Sequence, residues 1–198
     1  MFAYVRGILT HKEHTHAIVE TAGVGYFIRI SLHTYSLLGE VEKEAFLHTH
    51  LQVQENAHNL FGFAELSEKK LFLELINISG IGANTALVML SSATPTEIQQ
   101  AIANEDIKTL QAIKGIGAKT AQRVILELKD KMKKEFLAES GKTTQPVPFY
   151  RSVKEEAVTA LVVLGLARNI AEKNVEAILK LKDGNATVEE VIKLALKM

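Results

Sequence analysis

Two glycine pairs, each beside polar or basic side chains, are the residues of this chain best placed for chemistry. Gly80-Ile81-Gly82 is followed by Asn84 and Thr85, and Gly115-Ile116-Gly117 by Lys119, Thr120 and, a helical turn later, Arg123. Glycines allow a tight backbone path and remove side chains that would keep a phosphate away. A helix that starts just past such a turn offers unpaired N–H groups and a partial positive charge to an anion. A grip of this kind falls on the nucleic-acid backbone and is independent of base sequence. The spacing does not suit a nucleotide pocket. A P-loop needs glycine at the positions held by Ile113 and Ala118, and a dinucleotide fingerprint would need its third glycine at Thr85 and Thr120. No recognisable spacing brings together a nucleophile, a base and an orienting acid, so no catalytic residue and no cofactor is expected.

The elements that position these glycines are repeated. Leu75 to Ala86 returns as Leu110 to Ala121, identical at eight of twelve positions with an offset of thirty-five residues. Each copy closes one helical apolar run and opens another, and so reads as helix, hairpin, helix. Upstream, Ser67 can cap a helix carrying Leu71, Phe72, Leu75 and Ile76 on one face. Thr94-Pro95-Thr96-Glu97 is a capping box with proline at the first helical position, and Asn104 is expected to start a further short helix. The longest helical pattern runs from Ala118 to about Lys134, with Ala121, Val124, Ile125 and Leu128 on its apolar face. The other face carries several lysines, of which only the first turn beside Gly115 and Gly117 has a functional reading.

Residues 1–65 read as five short strands: Tyr4–Leu9, His16–Glu20, Gly25–Ile30, Ala45–Val53 and Asn59–Phe63. Five strands in that space predict a small closed sheet, an OB-like barrel. All seven histidines lie here. His14 with His16, and His48 with His50, have the spacing to share a strand face, yet neither pair has an evident third ligand, so they are read as solvated strand residues and no metal is expected. Residues 138–150, with Pro146 and Pro148 and little to bury, read as a flexible linker. Beyond it, residues 151–198 suit three short helices: one capped by Ser152 and stopped at Gly165, one from Arg168 to about Lys180 stopped near Gly184, and one capped by Thr187. Their apolar residues exceed what so small a bundle readily hides, and a docking patch is expected around Leu161, Leu164, Gly165 and Leu166 and the third helix.

Composition bounds the function. The chain has 198 residues, 47% of them hydrophobic and 23% charged, enough for one to three domains. With no cysteine, disulfides, thiolate zinc sites and thiol nucleophiles are excluded. No leader and no long apolar run is evident, so a soluble cytoplasmic protein without membrane contact is the expectation. Net charge is zero, but residues 1–65 carry four basic and seven acidic side chains against ten and eight in residues 66–137. The positive excess travels with the repeated turns.

Val5-Arg6-Gly7, Gly23-Val24-Gly25-Tyr26, Leu60-Phe61-Gly62-Phe63, both Gly-Ile-Gly turns, and Glu156-Ala157-Val158 with Leu161-Val162-Val163-Leu164-Gly165 closely resemble the RuvA family, nearly from end to end. The resemblance implies an OB-fold domain over residues 1–65, a tandem helix-hairpin-helix DNA-binding domain over 66–137, a linker over 138–150 and a three-helix, UBA-like domain over 151–198. It implies a homotetramer, or two tetramers, that holds Holliday junctions open and binds a separate hexameric ATPase, RuvB, through the small C-terminal domain. The RuvC resolvase is a further implied partner. ATP would then be used by the motor, not by this chain. Residue by residue, Gly80, Gly82, Gly115, Gly117, Lys119 and Arg123 fall at phosphate-gripping positions, with Asn84 and Thr120 beside them. Asn84 and Ala118 stand where relatives have basic residues, which shifts the grip toward backbone amides. The family's acidic pin corresponds to Gln54-Glu55-Asn56, where only Glu55 keeps the charge. Two other classes compete: a helix-hairpin-helix nuclease or glycosylase, which needs a catalytic acid or lysine near the hairpins, and an OB-fold adaptor for protein partners, which leaves the duplicated hairpins without a purpose.

Overall fold

Alternation of apolar and polar side chains curls the first third of the chain into a closed five-stranded barrel. The computed structural model describes residues 2–140, 149–182 and 186–198. Its strands are β1 (Tyr4–Glu13), β2 (His16–Thr21), β3 (Val24–Ile30), β4 (Glu44–Gln54) and β5 (Ala57–Phe63), closed in the order β1-β2-β3-β5-β4. All neighbours are antiparallel except β3 and β5, which run parallel with Arg29 opposite Phe61. Val5, Leu9, Ala17, Val19, Ile28, Ile30, Ala45, Leu47 and Leu60 fill the interior, as a period of two requires. β1 continues past the Leu9 boundary read from the sequence because a bulge at Thr10 breaks the alternation there without breaking the pairing. A six-residue helix, α1 (Leu32–Leu37), follows β3 and was not expected; Ser31 caps it by accepting from the Thr34 amide.

Five helices follow: α2 (Leu66–Ile76), α3 (Ala83–Ser92), α4 (Pro95–Ala103), α5 (Ile107–Gln111) and α6 (Ala118–Ser140). The Thr94–Glu97 capping box is formed in both directions, with hydrogen bonds of 2.8 and 3.3 Å, and it holds the Glu97 carboxyl below its usual range. Two expected caps differ. Glu65, without a side-chain bond, precedes α2 and leaves Ser67 inside the first turn. Asn104 ends α4, and Asp106 begins α5 by accepting from the Thr109 amide at 3.1 Å. These helices close on one core of Leu71, Phe72, Leu75, Met89, Leu90, Ile102, Leu110, Val124 and their neighbours. Phe61 and Phe63 of β5 belong to this core, 5.2 and 4.9 Å from the Phe72 ring. Each such ring contributes roughly 2–3 kcal/mol by burial, which joins barrel and helices into one folding unit.

One carboxylate is buried at that junction. Glu68 of α2 accepts hydrogen bonds from the Ser31 and Thr34 hydroxyls, and the Thr34 Oγ1 accepts in turn from the Ala64 amide at 3.0 Å. Burial pushes its pKa up, partly opposed by the two hydroxyls. A raised folded value means that the folded state holds the proton more tightly than the unfolded one. The stability tied to Glu68 is therefore complete below the unfolded carboxyl value and is lost as pH climbs through the folded value. Urea midpoints followed from about pH 4 to about pH 8 should fall less in Glu68→Gln than in the wild type. Parallel pH profiles would show that Glu68 is ionised at no net cost.

The chain divides into two compact units, Met1–Ala138 and Glu139–Met198. The second contains α7 (Phe149–Val163), α8 (Arg168–Leu181) and α9 (Val188–Ala195), packed on Val153, Ala157, Val158, Leu161, Ala171, Val175, Ile178, Leu179, Ala186, Val191 and Ala195. α7 begins three residues before Ser152, so that residue is not its cap. It ends at Val163 and is stopped by Gly165, whose φ of +100° suits glycine, with Leu166 N–H donating to Leu161 O at 3.0 Å. Thr187 caps α9 by accepting from the Glu190 amide. Of the linker expected at 138–150, residues 141–148 lie outside the described residues, as does Gly184, while α6 extends to Ser140. No helix among the described residues is long and apolar enough to cross a membrane.

Candidate nucleic-acid interface

The sequence repeat is a repeat of hydrogen bonds. In the first hairpin the Ile78 amide donates to Leu75 O (3.1 Å), Ile81 to Ile78 O (3.0 Å) and Ala86 to Gly82 O (2.9 Å). In the second, Ile113 donates to Leu110 O (3.3 Å), Ile116 to Ile113 O (3.1 Å) and Ala121 to Gly117 O (2.9 Å). The isoleucines are buried and root each turn in the core, while all four glycines face solvent. Gly80 and Gly115 have φ of +97° and +91°, a conformation that other residues adopt only with strain.

Gly82 and Gly117 call for a different explanation. Their φ angles are not in the left-handed region, and a Cβ added at either would meet nothing within 4 Å. Neither backbone strain nor crowding inside the chain requires glycine there. Gly82 is the N-cap of α3, with φ −87° and ψ 168°, and supplies no side-chain bond to the helix amides that follow. Those amides, and their counterparts at the start of α6, point at the space which the missing side chains leave open. An oxyanion approaching from outside would use both features.

Around this backbone the side chains take distinct places. Lys119 is exposed in the first turn of α6 and Thr120 behind it is half-buried. Arg123 does more than the sequence indicated: its Nη1 donates to the Ser79 carbonyl at 3.1 Å, and its Nε lies 3.4 Å from Glu127 Oε1. It therefore ties the second hairpin's helix to the first hairpin. Asn84 accepts from Arg29 Nη1 at 2.9 Å. Arg29, on β3 of the barrel, thus brings a cation to the hairpin whose own sequence lacks one. Sequence reasoning missed Arg29 because its partner lies fifty-five residues away and no local pattern marks it.

Glu55 and Asn56 form the exposed two-residue turn between β4 and β5, after the last paired residues Gln54 and Ala57. In the second unit the expected patch needs correction. Leu161 is fully buried, because an α-helix turns residues 161 to 164 onto different faces and Leu161 takes the inward one. The exposed apolar side chains are Val162, Val163 and Leu164, the last two 81% and 58% accessible, with Leu166 partly covered and Gly165 between them. Leu194, Leu196 and Met198 at the chain end are also exposed.

Three family models match the sequence: the RuvA N terminal domain over residues 1–62, a SAM-like helix-hairpin-helix tandem over residues 72–130, and the RuvA C-terminal domain over residues 152–198. A protein of Cytophaga hutchinsonii is 53% identical over 199 residues, spanning 100% of both chains. One of Christiangramia forsetii is 50% identical over 197 residues, 100% of this chain and 99% of its own. One of Acetivibrio thermocellus is 42% identical over 200 residues, 100% of this chain and 98% of its own. Each of the three is named Holliday junction branch migration complex subunit RuvA.

Proposed function

The chain belongs to the RuvA family, and on that premise we propose that it is the junction-binding subunit of a branch migration complex, gripping four-way DNA by its phosphates without reading base sequence. The observation that carries the grip is the pair of glycines, Gly82 and Gly117, whose missing side chains serve no need inside the chain. In this reading Gly80, Gly82, Gly115 and Gly117 shape the amide cradles, Lys119 and Arg29 supply charge, and Arg123 sets the spacing of the two cradles. Four copies arranged about one junction would present eight cradles to its four arms. The hexameric ATPase RuvB would supply the motor and consume ATP, docking on the second unit, and RuvC would resolve the junction. This chain would do neither.

Mobility shifts of labelled four-way junction, duplex and single strand test the proposal. Preference for the junction, whatever its sequence, is the expected result; cleavage of the strand or absence of binding would overturn it. Lys119→Ala and Arg29→Ala should each weaken binding equally across junction sequences and lower the salt slope by about one counterion. Loss confined to particular sequences would contradict a phosphate grip.

The Glu55 turn acts by repulsion. A carboxylate presented at a tip discourages a continuous duplex from lying across it, while the open centre of a junction leaves it room. Glu55→Gln should tighten binding to plain duplex by up to about fivefold and so reduce the preference for the junction. An unchanged ratio of the two affinities would remove the pin role from this turn.

A further inference from the structure

Of the histidines paired by sequence spacing, only His16 finds further ligands in the fold, and they are His11 and Glu13 rather than His14. His11 Nε2 lies 3.2 Å from Glu13 Oε1, and His16 Nδ1 lies 3.8 Å from Glu13 Oε2. One ligand atom from each of the three residues can be chosen so that all lie within 4.8 Å of one another, the only such group among the described residues. We propose that His11, Glu13 and His16 form a site for one divalent first-row transition ion, of which Zn²⁺ is the natural probe. A tetrahedral ion with bonds of ~2.1 Å needs donors on the order of 3.4 Å apart, between the 3.2 and 3.8 Å of the two imidazole–carboxylate pairs. Two imidazoles and one carboxylate suit such ions better than Mg²⁺ or Ca²⁺, and three protein donors leave room for solvent on the metal.

The backbone produces this convergence by a specific device. On β1 Leu9 faces the barrel interior, and strict alternation would turn His11 inward with it. The bulge at Thr10 inserts one residue, so that Leu9 pairs with Val19 but His11 pairs with Ile18. His11 is thereby moved to the outer face, where Glu13 stands directly across from His16 at the end of the hairpin. The His16 ring is held by stacking on Phe27 at 4.5 Å and its side chain is only 19% exposed, so one donor is fixed in advance. The cations nearby are directed elsewhere: Lys12 donates to Leu38 O at 2.7 Å, and Arg29, opposite His16 on β3, is hydrogen-bonded to Asn84. His14 stays out of the cluster, stacked on Tyr35 at 4.6 Å. On β4, His48 lies against Phe46 and His50 against Phe72, where burial and then Lys69 push the His50 pKa down.

Calorimetric titration of the full chain, stripped of metal and placed in a non-chelating buffer, with zinc chloride tests the site. The expected result is one equivalent per chain and a thermal midpoint that rises with zinc. His11→Gln and Glu13→Gln change exposed side chains, 47% and 58% accessible, and leave the barrel interior untouched. Each should weaken zinc binding by about tenfold or more and abolish the rise in midpoint. His48→Gln should behave as the wild type. Absence of stoichiometric zinc binding would overturn the proposal, as would binding that survives both His11→Gln and Glu13→Gln or is lost in His48→Gln.

Discussion

A chain carrying Gly82→Ser together with Gly117→Ser is expected to lose junction affinity by about 100-fold or more while melting no lower than the wild type. Serine is among the best N-cap residues, and the backbone at Gly82, φ −87° and ψ 168°, already has the conformation a capping serine takes. A Cβ added at either position meets no atom of the chain within 4 Å, so the substitution is not crowded in the folded state. The new hydroxyl would accept from an amide in the first turn of each helix, however, and fill the opening in front of it. A charge-assisted hydrogen bond lost to a phosphate costs about 1.5–3 kcal/mol, and two cradles per chain are affected. Stability and binding then move in different directions, which a general loss of fold cannot imitate. Gly80→Ser is the contrasting control: at φ +97° a side chain strains the turn itself, and both melting temperature and binding should fall. Full junction affinity in the doubly substituted chain would mean that the helix amides do not touch phosphate.

Removal of the second unit should have an equally large effect on a different measurement. A chain ending at Ser140 keeps the whole of the first unit, Met1–Ala138, with both hairpins and the barrel. Junction affinity should remain within about twofold of the full chain, since no cradle residue is lost. Branch migration measured with the proposed partner ATPase should fall to the level of that motor without this subunit. Val163 and Leu164 are the exposed apolar side chains at the end of α7, and Val163→Glu with Leu164→Glu should reproduce that loss in the complete chain, because neither belongs to the core of its own domain. Migration at the full-length rate by the shortened chain would remove the docking role from residues 151–198.

What the sequence made legible was whatever is local. The hairpins could be read because the turn chemistry sits within twelve consecutive residues and occurs twice, and the capping box at Thr94 because its partners are three residues apart. The barrel strands were legible from alternation except where the Thr10 bulge interrupts it, which is also where the His11 side chain changes face. α1 escaped notice because six residues are too few to establish a helical period. Arg29 and the second role of Arg123 depend on contacts fifty-five and forty-four residues distant, which no window of sequence contains. Leu161 was read as surface because a run of four apolar residues conceals which one the helix turns inward.

The placement of Phe61 and Phe63 makes β5 a gauge. One end of this seven-residue strand is anchored in the helical core beside Phe72, and the other begins at the Glu55 turn, so the strand, about 20 Å from Ala57 to Phe63, spaces the turn from that anchor. That interval is set by a count of residues and cannot be adjusted by a hinge. Deleting two residues from β5 and the two opposite them on β4 would retract the tip by about 7 Å and preserve every inward and outward face, whereas deleting one from each would turn the outer side chains into the barrel. Without a bulge such as the one at Thr10, this dimension therefore changes in steps of a dipeptide pair.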